Sequence, residues 1–392
     1  MKRLILALIF CCTRAAFSQL HVSGQASTGF VKANDGESQY SFNAGRGSFV
    51  WRWDLFADAP ISDHLTFLSN FRMLQDQIPH IDLFAIRISD VGGSGLSLQA
   101  GQIDIPFGNL AERRFPRQNP FLTLPLMNEH ITALCQSDYK LWSLIPEYQI
   151  KGDGVCLLDQ GLYDLGVKAY GSVGIFDYSF ALINGMVSTT GTYSPGGLNS
   201  NHGYGKVLRL SITPMTGVTL GGSYALGSFM KDESQTIIIS DGIADTSAFY
   251  GKSPDDYLQQ IFGGDLSISF DHFSFEGEVV SNTWQYLDAM DLKATSYSAM
   301  VQYVCTPRIS GAVRVGGIIF NEVRNVAELN QFFRPVIYSG KWDHDVFRLE
   351  GAAAYKIDTA LLLKFGYQIN RTYNVPRDPV DNVLFIQTVL TF

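Results

Sequence analysis

Beyond residue 19 the sequence lacks any run approaching the ~20 apolar residues that a membrane-spanning helix requires. A helical anchor in the mature chain is therefore excluded. It also lacks the groupings that announce catalysis: no GxSxG, HExxH or CxxC occurs, and the seven histidines, His21, His64, His80, His130, His202, His272 and His344, are scattered. Basic residues are scarce. Without Lys2, Arg3 and Arg14 of the leader described next, 26 of the 29 remain against 37 acidic residues, which argues against a nucleic-acid partner. Cysteine is sparse as well, and the three beyond the leader, Cys135, Cys156 and Cys305, leave at least one unpaired in an oxidising compartment; Cys135 and Cys156 could bridge.

The opening "MKRLILALIFCCTRAAFSQ" sets Lys2 and Arg3 before an apolar run from Leu4 to Cys12, followed by Ala16-Phe17-Ser18. A charged start, an apolar middle and a small-x-small site make residues 1–18 a secretory signal peptide, with 19–392 as the exported chain. With 46% hydrophobic and 13% aromatic content the chain is too rich for disorder, and 37 glycines and 27 phenylalanines lean towards sheet.

Two-residue periodicity recurs from end to end. In "GSFVWRWDLFAD", Phe49, Trp51, Trp53 and Leu55 oppose Ser48, Arg52 and Asp54; in "DTALLLKFGYQI", Leu361, Leu363, Phe365, Tyr367 and Ile369 oppose Lys364 and Gln368. The terminal "NVLFIQTVLTF" puts Leu384, Ile386, Thr388, Leu390 and Phe392 on one face. Sixteen strands are expected, near 20–30, 46–58, 63–74, 80–90, 95–106, 150–171, 175–184, 205–213, 217–228, 260–270, 272–281, 294–305, 309–320, 344–355, 358–369 and 381–392. Tight connections such as 59–62, 91–95, 214–217 and 306–309 separate long ones at 31–45, 107–149, 185–204, 229–259, 282–293, 321–343 and 370–380. The 150–171 segment is too long for one strand.

An even number of strands, apolar outward faces, a polar lumen and loops long at one end only define an all-β, transmembrane antiparallel β-barrel of about 16 strands with short periplasmic turns and long extracellular loops. Lipid offers backbone amides no partner, so such a sheet must close and leave no edge. The expected location is the bacterial outer membrane, with lipid and lipopolysaccharide around the barrel. A secreted sandwich of the same strand count would leave the one-sided loop lengths unexplained.

At "QAGQIDIPFGNL", residues 99–110, the chain resembles the phosphate-selective (O/P type) porin family of bacterial outer membranes. Gly101-Gln102, Pro106-Phe107-Gly108, the long loop that follows, "GDGV" at 152–155, "FALINGM" at 180–186 and Phe392 carry the likeness. The resemblance implies a sixteen-stranded channel, commonly trimeric, whose third loop folds inward to narrow the pore; here that loop is 107–149. Phosphate-selective members carry many lumenal lysines and arginines, whereas this chain is acidic, so the expectation is limited to the fold and the pore.

Selectivity in a pore comes from diameter, lining charge and hydrogen-bonding groups rather than a reaction centre. Alternation assigns Arg52, Arg72 and Arg87 to the lumen on successive strands, as one basic ladder, with Arg209, Arg314, Arg348 and Lys364 further round. Asp54, Asp177, Asp265, Glu276, Glu278 and Glu350 face them, so each arginine is a candidate for a wall salt bridge as much as for a conductive role. The third loop offers Glu112, Arg113, Arg114 and Arg117 beside Phe115 and Phe121, where a planar guanidinium fork suits carboxylate or phosphate groups. "WDHD" (342–345) and "RDPVDN" (377–382) read as solvated loop charge rather than Ca²⁺ ligands. The expectation is a passive porin for small hydrophilic solutes, biased to anions, with no enzymatic turnover and no cofactor. Its rivals are a non-conducting barrel that serves as an anchor or surface-assembly component, and a boundary hydrolase, for which Ser274 and His272 would be the pair to test.

Overall fold

The computed structural model describes residues 20–33, 47–74, 79–110, 113–134, 154–159, 161–188, 203–230, 236–239, 242–245, 254–286, 291–329, 335–374 and 381–392. The leader, residues 1–18, and Glu112 and Cys135 lie outside them. The first half of the sheet comprises β1 (His21–Ala33), β2 (Gly47–Pro60), β3 (Leu65–Leu74), β4 (His80–Ile88), β5 (Ser97–Asp104), β6 (Tyr163–Val173), β7 (Phe176–Ile183) and β8 (Gly205–Met215). It continues through β9 (Val218–Ser228), β12 (Leu258–Phe270), β13 (Phe273–Trp284), β14 (Leu292–Thr306), β15 (Ile309–Phe320), β18 (Val346–Lys356), β19 (Leu361–Thr372) and β20 (Val383–Thr391). Two hairpins stand apart: β10 (Thr236–Ile239) with β11 (Gly242–Asp245), and β16 (Glu322–Leu329) with β17 (Pro335–Lys341).

Sixteen strands close into one antiparallel barrel, each beside its neighbour in sequence, with β20 returning to β1. The seam ends on a mutual pair: the Gly24 N–H donates to the Phe392 carbonyl at 2.9 Å and the Phe392 N–H donates to the Gly24 carbonyl at 3.1 Å. Closure leaves no edge for another chain to extend.

Alternation follows from the pleat, which turns successive side chains to opposite faces. On β2, Phe49, Trp51 and Trp53 are exposed while Asp54 is wholly buried; on β4, Phe84, Ile86 and Ile88 are exposed and Ala85 buried, with Asp82 turned inward by a bulge; on β19, Phe365 and Tyr367 are exposed and Lys364 and Gln368 buried. The outside is an apolar belt and much of the inside is charged. No helix among the described residues is long and apolar enough to cross a membrane.

The turns 174–175, 216–217, 271–272 and 307–308 have two residues each, and 61–64, 89–96 and 357–360 lie at the same end. The opposite end carries the long connections, which also hold the two hairpins.

The strand expected over 150–171 begins only at Tyr163. Residues 154–159 and 161–162 belong to the third connection, which therefore runs from 105 to 162. Their apolar side chains imitate a strand because they are buried by loops: Leu157 and Leu158 are inaccessible to solvent, and Leu162 leaves the extended region at φ 49°.

The expected polar lumen is also corrected at the long-connection end. There Leu126, Met127, Leu134 and Leu157 of the third connection join Met186, Val187, Phe229, Met230, Trp284, Phe320 and Trp342 in one buried apolar cluster. Phe320 and Trp342 meet edge to face at 4.8 Å, and Trp342 meets Trp284 likewise at 5.7 Å. Aromatic pairs favour this geometry.

Candidate functional site

The third connection is built to enter the lumen. The "PFG" step turns it there: Gly108 lies at φ 62°, its N–H donates to Ser223 Oγ at 3.0 Å, and a Cβ would run into the Glu278 carboxylate. Glycine tolerates both the left-handed backbone and the close approach.

From there to residue 124 the chain is strapped to the wall. Arg113 pairs with Glu276 and reaches Ser267 at 3.4 Å, and the Arg117 N–H donates to Gln25 at 3.0 Å. Lys364 donates from Nζ to the carbonyls of Pro116, Asn119 and Phe121 at 3.0, 3.0 and 3.2 Å. Arg314 donates to Glu350 at 2.6 Å and to the Thr123 and Leu124 carbonyls, with its guanidinium 4.5 Å from the Phe121 ring centroid. Thr123 hydrogen-bonds Glu350, and Arg348 bonds Glu129 and the Leu124 carbonyl at 2.8 and 3.1 Å. Buried cations of this kind need such partners, since an unpaired charge away from water is costly.

The remaining segment is fastened by packing. A short helix, α1 (Leu126–Glu129), buries Leu126 and Met127, and the Leu158 N–H donates to the Met127 carbonyl at 2.9 Å. Asp343 holds this part from β18's side: it accepts the Ala133 N–H at 2.8 Å and lies 3.6 Å from His130. Asp343 is 1% exposed, so the reading of "WDHD" as solvated charge is corrected; it meets loop backbone and a histidine ring, and among the described residues no three His, Cys, Asp or Glu side chains group as metal ligands. In "RDPVDN", Asp381 is buried as well, and its carbonyl accepts from Asn370.

Between the strap and the wall of β1 to β4, β19 and β20 lies a cavity of about 420 Å³. Arg52, Arg72 and Arg114 line it together with Asp82 and Glu129. Arg52 forks onto Asp54 at 2.8 and 2.9 Å and donates to the Arg114 carbonyl at 3.1 Å; Arg72 lies 3.1 Å from Asp82. Arg114 stacks 3.9 Å from the Tyr163 ring centroid and 5.2 Å from that of Phe115, and donates to the Gly161 carbonyl at 2.7 Å. Val50, Leu74, Leu122 and Val383 give the same cavity an apolar side.

The structure thus brings Arg52, Arg72 and Arg114 to one space and leaves Arg87 outside it. Arg72 is opposite His80, whereas Arg87 is opposite Thr66 near the short turns, six residues along β3 and roughly 20 Å away. A continuous ladder of Arg52, Arg72 and Arg87 is not formed. Arg209 forks onto Asp265 at 2.6 and 2.9 Å, and with Arg314, Arg348 and Lys364 it is engaged by wall or loop. Sequence reasoning passed over Asp82, Glu129, Thr123 and the Lys168–Asp104 pair at 2.6 Å. Strict alternation with Phe84 and Ile86 marks Asp82 as outward; the irregular β3–β4 pairing between Asn70 and Phe71, which skips Asp82, turns it inward.

Among the described residues Cys156 and Cys305 carry free thiols, Cys305 exposed; the bridge considered between Cys135 and Cys156 involves a residue outside them. His272 lies in the turn 271–272 against Asp271 at 2.7 Å rather than against Ser274.

No protein-family model and no curated protein matches the chain. Solved structures do. An anion-selective porin from Comamonas acidovorans is 9% identical at TM-score 0.60, and the match covers 95% of this chain and 99% of that one. OmpT, an outer-membrane protein of Vibrio cholerae in its trimer form, is 9% identical at TM-score 0.56 over 95% and 99%. Salmonella typhi OmpF in complex with daunomycin is 10% identical at 0.55 over 95% and 97%. The fold is that of bacterial outer-membrane porins. These likenesses show the porin barrel and do not single out the phosphate-selective family.

Proposed function

We propose that this chain is an outer-membrane channel through which small hydrophilic solutes diffuse passively, with a bias to anions. The observation that carries the reading is the strapped third connection, which leaves a cavity beside the wall where Arg52, Arg72 and Arg114 converge. A loop held across a lumen narrows it, and charge close to a constriction sets the local field more than net charge does. The apolar belt fits a bilayer, the short turns fit the periplasmic side and the long connections the side facing lipopolysaccharide. A homotrimer is the assembly proposed, in keeping with the trimeric form of one structural neighbour. The reading requires no turnover chemistry and no cofactor.

The apolar cluster at the long-connection end supports a second reading, a closed barrel that anchors or assembles surface structures. Planar-bilayer recording of the refolded chain separates the two. A conducting channel whose reversal potential across a salt gradient shows anion preference, reduced severalfold by Arg114→Ala, upholds the first. A folded barrel that never conducts sinks it and leaves the second.

A further inference from the structure

At the short-turn end, on the other side of the strap, lies a second cavity of about 240 Å³ with a different charge make-up. Arg117, Arg308, Lys356 and Lys364 line it, and no carboxylate does. Lys356 and Lys364 face inward from β18 and β19 by alternation, Arg308 occupies the turn 307–308, and Arg117 descends from the strap. The charges are met by dipoles rather than by anions. Lys364 has its three carbonyls, Arg117 Nη2 donates to the Thr359 carbonyl at 3.0 Å, and Arg117 Nη1 is buried with no hydrogen-bond partner. The nearby carboxylate of Asp358 accepts the N–H groups of Ala360 and Leu361, each at 2.7 Å. In the larger cavity, by contrast, three arginines face Asp82 and Glu129.

We propose that this second cavity binds a compact organic anion carrying two or more carboxylates. Four cations without a carboxylate among them favour a multivalent anion, because each added negative charge meets another uncompensated positive one. Arginine's planar fork accepts a carboxylate through two parallel hydrogen bonds. Ala354 and Leu362 of the wall and Pro120 of the strap offer apolar surface to a carbon skeleton, which an inorganic oxyanion would leave without contact. Arg308 and Lys356 are exposed, so the site opens to the short-turn side. It extends the anion bias of the proposed channel, and rests on that reading for how the anion passes but not for binding itself.

Isothermal titration of citrate into the refolded full barrel tests this, beside an Arg308→Ala/Lys356→Ala double variant whose changes touch only exposed side chains. Saturable citrate binding is expected, at least tenfold tighter than acetate or inorganic phosphate and at least tenfold weaker in the variant. Citrate affinity within twofold of the unaltered barrel in the folded variant, or phosphate binding as tightly as citrate, overturns the proposal. A barrel that binds citrate but never conducts removes the channel and keeps the site; one that conducts yet fails the titration keeps the channel and removes the site.

Discussion

Two stretches of the same connection are held in the lumen by different physics. Residues 113–124 are tied by Arg314, Arg348 and Lys364, which reach for loop carbonyls and for Glu350 and Glu129. Residues 126–134 and 154–158 are held by Leu126, Met127, Leu134 and Leu157 packed on Trp284, Phe320 and Trp342. The ionic stretch is directional and leaves space beside it; the apolar stretch is close-packed and leaves little. The cavity carrying the proposed function accordingly lies beside the strap.

The largest effect should come from breaking the ionic stretch at its centre. Glu350→Ala leaves Arg314 buried without its carboxylate and frees Thr123, and removal of one partner of a buried pair typically costs about 3–5 kcal/mol. Denaturant unfolding should show that loss, and bilayer recording should show a larger, noisier conductance. Met127→Ala attacks the apolar stretch instead and should cost about 2–4 kcal/mol from lost packing and the cavity left behind. Its conductance should change less than that of Glu350→Ala, since the strap survives; equal changes would erase the distinction between the stretches. Gly108→Ala, in the turn that launches both, should cost about 1–2 kcal/mol for the left-handed alanine alone, with the displacement of the Glu278 carboxylate adding to it. Arg113→Ala should barely alter stability, about 1 kcal/mol or less, because its pair with Glu276 is partly exposed. Arg87→Ala should change anion preference least of the arginines, less than twofold in permeability ratio, because it lies far from Arg52, Arg72 and Arg114.

The barrel was legible because its signal is simple: one face of Phe49, Trp51 and Trp53 or of Phe365 and Tyr367 meets apolar surroundings and the other does not, and a period of two survives any detail of packing. The inner anchors were legible as types but not as partners. Lys364 could be placed in the lumen, yet the three carbonyls that hold it belong to backbone, which has no letter in the sequence. Met127, Leu157 and Trp342 were missed as a cluster because they come from separate connections with no common period, and the same apolar density at 155–158 drew the sixth strand too early. Asp343 read as loop charge because nothing near it in sequence reveals Ala133 or His130.

The mutual hydrogen bonds of Gly24 and Phe392 have a kinetic meaning. The first strand gains its second neighbour only when the last one arrives, so the ladders between successive strands can form early but the ring cannot close before β20. Contacts this distant in sequence place loop closure before reward and slow the route to the native state. Until that meeting, β1 and β20 both present bare edges to any other chain nearby. A barrel closed this way depends on being kept unpaired through its transit and joined last at the seam, and a lesion in β20 should be felt first as failure to assemble rather than as a leaky pore.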